Sequence, residues 1–209
     1  MAGPTSVLSD DSRLSLLDQG LYRVERFLAF LSGLAIFSLM FLAVFSVGGR
    51  WGFNSPLPGY VDWIEQLMPL IAFMGVAFTQ RDGGHIRMDI VLGSLGGRVL
   101  WAVEFITTLA ILLLMVLMVW GSWAHFERSF DWTQPMWSRD SSMDIALPLW
   151  PAKLLAPIAF AVLSLRLALQ CWGFGRAFLR DDQRPVAVPL VQSASEQAQA
   201  EAAQMTGET

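Results

Sequence analysis

The stretch FLAFLSGLAIFSLMFLAVFSVGG, residues 27–49, holds no charged side chain and is bracketed by Arg26 and Arg50. A helix needs roughly 20 predominantly apolar residues to cross the hydrocarbon core of a bilayer, and this run has 23. It is expected to remain in the membrane. A cleavable signal would put a shorter apolar core nearer the start, followed by small residues, whereas here Asp10, Asp11 and Ser12 precede a run that begins only at Phe27.

Three further stretches fit the same description less completely. Phe105 to Ala124 is free of charge, Gln66 to Gln80 gives 15 uncharged residues, and Lys153 and Arg166 leave 12 between them. The second reaches a full span with Tyr60, Asp62, Trp63 and Glu65 included. The fourth does so as a Pro148–Trp172 helix, with Lys153 and Arg166 near its ends, where long cationic side chains reach the headgroups. The sequence therefore predicts an all-α, polytopic membrane protein with four transmembrane helices at about 27–49, 60–80, 100–124 and 148–172. Composition agrees: 54% of the residues are hydrophobic and 15% charged, against about a quarter charged in soluble domains.

Lysine and arginine counts orient the chain, because cytoplasmic loops collect them. With both termini inside, ten fall on the inner side: Arg13, Arg23, Arg26, Arg81, Arg87, Arg98, Arg166, Arg176, Arg180 and Arg184. Four (Arg50, Arg128, Arg139 and Lys153) fall outside. An N-in/C-in arrangement follows. Trp51, Trp63, Trp120, Trp123 and Trp150 then sit at outer helix ends and Trp101 and Trp172 at inner ends, the headgroup zone that indoles favour.

Short amphipathic interfacial helices are expected beside the spans. Leu14, Leu17, Leu21, Val24 and Leu28 recur at helical spacing opposite Arg13, Asp18 and Arg23, giving one apolar stripe that could lie on the inner surface. Met88, Val91, Leu92 and Leu95 share a face between the glycine pairs 83–84 and 96–97. The loop from His125 to Leu147 brings Phe126, Phe130, Trp132 and Trp137 together; Trp132 and Trp137 are candidates for a partner or membrane contact. Residues 1–11 and the Gln-, Ala- and Ser-rich tail 181–209 read as flexible or disordered flanks of a membrane domain over 12–180.

Ionisable residues at membrane depth are functional candidates. At 1.5 Å per residue, Glu104 and Arg166 reach similar depth in the inner leaflet, and Glu65 and Lys153 match in the outer leaflet. Two cross-helix ion pairs are the expectation, Glu104 with Arg166 and Glu65 with Lys153. No chemistry beyond that is indicated. His85 and His125 fall on opposite sides of the membrane and cannot share a metal or haem, and Cys171 is the single cysteine. Neither nucleophile-elbow nor phosphate-loop patterns occur, so the chain reads as a non-enzyme without cofactor. A net charge of −4 argues against nucleic acid. The first helix lacks the carboxylate of small exporters, and no inverted repeat or broken helix builds a midplane site.

The segment WIEQLMPLIAFMGVAFTQRDGGHIRMDIV, residues 63–91, resembles the small permease subunit, DctQ type, of tripartite ATP-independent periplasmic (TRAP) transporters. Glu65 opens the helix, Gly75 and Ala77 lie late in it, and Arg81, His85, Ile86 and Asp89 match the family's turn. LPLWPAKLLAPIAFAVLSLRLALQ, residues 147–170, is similar to the Pro-rich entry to the family's last helix. The resemblance covers roughly residues 20–178. It implies a non-catalytic scaffold in the bacterial inner membrane, surrounded by lipid, with a large permease subunit and a periplasmic solute-binding protein as partners. The large subunit would carry organic solutes, carboxylates by the family's habit, inward with sodium. Glu65, Arg81, His85 and Asp89 would then shape the second helix and its turn or meet the large subunit, with Arg81 also a candidate anionic-lipid contact. A membrane-anchor or assembly subunit of another inner-membrane complex is the alternative reading.

Overall fold

The computed structural model describes residues 13–55, 57–81, 98–180 and Val188. Among them, four helices are long and apolar enough to cross a membrane. The first, α1, runs unbroken over Arg13–Phe53. The second crossing is made of α2 (Tyr60–Met74) and α3 (Val76–Arg81), separated at Gly75. Pro69 sits inside α2 and has no N–H for the Glu65 carbonyl, which loosens the helix just before that break. The third and fourth crossings are α4 (Arg98–Ser129) and α5 (Trp150–Arg180). Between them Pro135–Trp137 forms a single 3-10 turn, and two isolated β-bridges, Phe130 with Ser138 and Ser141 with Pro148, fold the loop back on itself.

Helices α4 and α5 make the most extensive pairing, α2 packs on both α1 and α5, and α5 is the most buried of the four. The α4–α5 contact centres on Trp101, Phe174, Ala177 and Val188 at one end. Nearer the middle, Ala77, Leu163 and Leu167 pack with Leu112 and Met115. Small residues set the spacing. The Phe105 ring lies 3.5 Å from where a Cβ on Gly175 would stand, and in a bilayer it is such close approach, not escape from water, that holds helices together. The lipid-facing surfaces are correspondingly apolar: Phe27, Phe30, Val44 and Phe45 of α1 are each well exposed.

The segment before the first crossing is not a separate surface helix. It continues α1, and its buried face is mostly polar: Ser15, Asp18 and Glu25 are buried together with Leu14, while Leu17 and Val24 point out. Of the stripe expected at the membrane surface, Leu17 and Val24 thus face outward along a single long helix and Leu21 and Leu28 are half-buried, while Leu14 is buried with the polar residues. The expected interfacial helix between the second and third crossings, residues 1–11 and nearly all of the tail from 181 lie outside the described residues.

Candidate functional site: two polar clamps at opposite ends of the bundle

Along α1, Asp18, Glu25 and Ser32 recur at intervals of seven, which keeps them on one helix face. That face meets α2, α3 and α5. Arg166 of α5, with no exposed surface, donates through Nε and Nη2 to Glu25 Oε1 and Oε2, both at 2.6 Å, and through Nη1 to Asp18 Oδ1. Arg81, the last residue of α3, donates from Nη2 to the second oxygen of Asp18 at 3.0 Å. Its guanidinium lies 4.1 Å from the centroid of the Tyr22 ring, a cation–π contact. Beside them Gln80 donates to Gln170 Oε1 at 2.9 Å, and Gln170 donates back to the Gln80 carbonyl at 3.2 Å. Further along α1, Ser32 donates to the Ile71 carbonyl at 3.1 Å.

Two carboxylates thus meet two guanidinium groups, and their formal charges cancel. Arg166 lies sixteen residues along α5 from Trp150, about 24 Å, and Arg81 nineteen residues from Asp62, about 29 Å. A core about 30 Å thick places the network at its far edge if Trp150 and Asp62 mark the near one. Charges at that depth persist only when paired.

The opposite end is clamped by hydrogen bonds. Asp62, in the first turn of α2, accepts through Oδ2 from the Ser142 hydroxyl (2.6 Å) and the backbone N–H groups of Asp144 (3.1 Å) and Ile145 (2.8 Å). The Ser142 oxygen in turn accepts from the Leu147 N–H at 2.9 Å. Lys153 donates to Asp140 at 2.6 Å and to Ser129 Oγ at 3.0 Å, and Ser129 donates to Asp140 at 2.7 Å. The Lys153 ammonium and the Ser129 hydroxyl hold the Asp140 carboxyl below its ordinary range. Asp131 is lowered to about 2 by the Thr133 backbone N–H and hydroxyl, with Arg139 adding its own bond. Gly59, at φ +70°, lies directly beneath Ile145, whose side-chain atoms would be 2.6–2.8 Å from a Cβ there.

Aromatic rings cover this loop. Trp123, Phe126, Phe130, Trp132, Trp137 and Trp150 follow one another in stacked, edge and tilted contacts, with centroids from 4.8 to 6.4 Å apart. Trp150 Nε1 donates to the Met136 carbonyl at 3.0 Å. Trp132 and Trp137 remain 72% and 50% exposed, so ring faces are left for a contact beyond the chain.

The charged residues singled out by depth are therefore placed differently from expectation. Arg166 meets α1 carboxylates rather than Glu104, and instead of reaching toward headgroups it is buried completely. Glu104 is buried on α4, but the Arg166 fork is directed at Glu25 and Asp18. Lys153 pairs with Asp140 rather than Glu65, which is exposed on α2 and has no ion pair among the described residues. Equal depth was a sound criterion, but depth does not fix direction around a helix axis. Arg81 is also no lipid contact, since it is 7% exposed and bound to Asp18. His85 and Asp89 lie outside the described residues. The partners that depth counting missed are Asp18 and Glu25, placed ahead of the membrane because the uncharged run begins at Phe27. Their seven-residue spacing with Ser32 was the available signal.

The model for the family described as "Tripartite ATP-independent periplasmic transporters, DctQ component" matches residues 23–175. The chain belongs to the DctQ family. That span includes Glu25, Arg81 and Arg166, both ends of the second crossing and the whole aromatic loop. No curated relative matches the chain. DctQ membership and four membrane-competent helices make it a small membrane subunit of a TRAP transporter, a transporter component rather than a member of an enzyme family.

Proposed function

We propose that this DctQ chain is the fixed frame of a TRAP-type secondary transporter in the bacterial inner membrane, with both termini cytoplasmic. Its large permease subunit moves against it, taking organic solutes, carboxylates in particular, from a periplasmic solute-binding protein and carrying them inward with sodium. The observation that carries the reading is the double clamp. A charge-neutral network ties α1 to α3 and α5 at one end, and Asp62 and Asp140 fasten the loop to α2 and α5 at the other. A bundle held at both ends resists the helix sliding that a moving transport domain needs. Under this reading Glu65, exposed on α2, and the His85–Asp89 turn meet the large subunit or shape the helix that does. The exposed faces of Trp132 and Trp137 serve a partner or the membrane surface on the periplasmic side.

The frame is tested by immobilising it. In a Cys171→Ala background, Gln80→Cys and Gln170→Cys place thiols on α3 and α5, where the native side chains hydrogen-bond. A short thiol-to-thiol cross-linker is then applied to the assembled transporter in proteoliposomes. Solute uptake equal to that of the untreated double-cysteine protein supports a rigid frame. Uptake abolished by the cross-link, with assembly intact, means these helices move and the reading is wrong.

A further inference from the structure

The outer face of the α4–α5 pair is grooved along its length. Leu112, Val116 and Trp123 of α4 and Leu165 and Ala168 of α5 border a groove of about 720 Å³. A second, of about 500 Å³, lies between Phe105 of α4 and Trp172, Gly175 and Arg176 of α5. The two belong to one seam. Leu165, Ala168, Trp172 and Gly175 recur on α5 every three or four residues, with Arg176 beside Gly175, and Phe105, Leu112, Val116 and Trp123 recur on α4 at intervals of seven, four and seven, which keeps each set on one helix face. Apart from Ser164, whose hydroxyl donates to the Phe160 carbonyl, the seam is apolar up to its end, where Arg176 is only half-buried and has no ion pair among the described residues.

Depth gives the seam a direction. From Trp150, at the near edge of the core, to Arg176 is about 39 Å of helix, which carries Arg176 past a core about 30 Å thick to headgroup level. Trp172, one turn earlier and 55% exposed, is the aromatic that marks such a level. From Arg176 back to Leu165 is about 17 Å, close to the depth of one leaflet. A fixed cation at headgroup depth with an apolar channel one leaflet deep below it matches a lipid with a negatively charged head.

We propose that the α4–α5 seam binds one anionic phospholipid, its phosphate held by Arg176 and one acyl chain lying in the groove from Phe105 to Leu165. The small side chain of Ala168 leaves the room that chain occupies. The site depends on the bilayer placement of the helices and not on the transport role, so it stands or falls apart from that reading.

Native mass spectrometry of the purified chain tests it, with phosphatidylglycerol and phosphatidylcholine titrated in parallel. One phosphatidylglycerol is expected to bind in preference to phosphatidylcholine. Arg176→Gln should weaken it about fivefold, the effect of one basic residue at a lipid surface, while Arg176→Lys keeps the preference. Arg176 has no ion pair among the described residues, so thermal unfolding without added lipid should match wild type and excludes a folding defect. Ala168→Phe, which fills the groove without altering charge, should weaken both lipids. Equal phosphatidylglycerol affinity in wild type and Arg176→Gln, or undiminished binding in Ala168→Phe, overturns the proposal. A phosphatidylglycerol with a photoreactive group midway along its chain should label the 161–168 segment both in the isolated chain and in the complex with the large subunit. Labelling lost on assembly would show a protein helix in the seam and overturn it as well.

Discussion

Replacing Arg166 with glutamine strikes the network at its most connected point. The side chain makes three charged hydrogen bonds, two of them a fork-to-fork pair with Glu25 at 2.6 Å, and neither residue has any exposed surface. Asp18 keeps Arg81 at 3.0 Å, so the loss falls mainly on Glu25. Removing one partner of a buried pair costs about 3–5 kcal/mol, because the remaining charge has no water to return to. For a chain of this size each kcal/mol moves the unfolding midpoint by roughly 2–4 °C, so a fall of about 6–20 °C is expected. The single cysteine supplies the assay. Cys171 is 8% exposed and lies five residues from Arg166 on the same helix, so a thiol-reactive fluorogenic dye in mild detergent reports opening of this region on heating. The double variant Arg166→Leu/Glu25→Leu removes both charges and leaves Asp18 with Arg81, again neutral. It should recover most of the loss, since an apolar pair of similar volume replaces a buried ion pair at little cost. If Arg166→Gln unfolds within 2 °C of wild type (a shift of under about 1 kcal/mol), or if the double variant is no better than the single, Arg166 and Glu25 are not paired in the bundle.

Other consequences follow at the loop end. Asp62→Ala removes the one acceptor shared by Ser142, Asp144 and Ile145; trypsin should then cut at Arg139 several times faster, while dye access to Cys171 is unchanged below the melting transition. Gly59→Ala forces a left-handed backbone on a residue with a side chain, about 1–2 kcal/mol, and drives a methyl into Ile145; the same digestion should accelerate, and an unaltered rate would refute the Gly59–Ile145 contact. The Asp131 carboxyl, lowered to about 2, contributes stability that is complete above the ordinary carboxylate range and disappears as pH falls through its folded value. Asp140, also lowered, acts in the same direction. Tryptophan fluorescence from the loop should therefore stay constant from pH 8 to 5 and change only in strong acid; a transition near pH 6 would contradict both assignments.

Fold class was readable because charge-free length is a one-dimensional property. Residues 27–49 need no partner to be recognised as a span, and even the fourth helix, interrupted by Lys153 and Arg166, declared itself through what surrounds those charges. The pairings were less legible. Counting residues gives depth, but whether Arg166 turns toward Glu104 or toward α1 depends on how α5 is rotated in the bundle, and that is set by every contact it makes. The start of α1 was misread for a related reason. Leu14, Leu17 and Leu21 form an apolar stripe that fits a helix lying on the inner membrane surface with that stripe toward lipid. The helix instead continues α1 into the bundle, where Asp18 and Glu25 face in beside Leu14 while Leu17 and Val24 face out. The loop clamp was hidden differently, since Asp62 reaches Ser142, Asp144 and Ile145 across eighty residues of chain.

A bundle of this kind has reason to keep buried charges despite their cost. Lipid tails are as apolar as leucine, so an apolar helix gains little by choosing a neighbouring helix over lipid, and less by choosing one register over the next. Sliding α1 by one turn would keep Phe27, Phe30 and Val44 in equivalent lipid. It would, however, draw Glu25 and Asp18 away from Arg166 by about 5.4 Å, beyond hydrogen-bond reach. The four charges therefore act on register more than on net stability, as buried polar groups do in some coiled coils. That distinction has an observable form: the Arg166→Leu/Glu25→Leu variant should melt close to wild type yet lose unique α1 register. Cysteine pairs between α1 and α2 placed near Ser32 and Ile71, which touch through a hydrogen bond of 3.1 Å in the native chain, should then cross-link at several neighbouring positions instead of one. A single cross-linked register in the double variant would show that packing alone fixes α1, and the network would be left with no role in specifying the bundle.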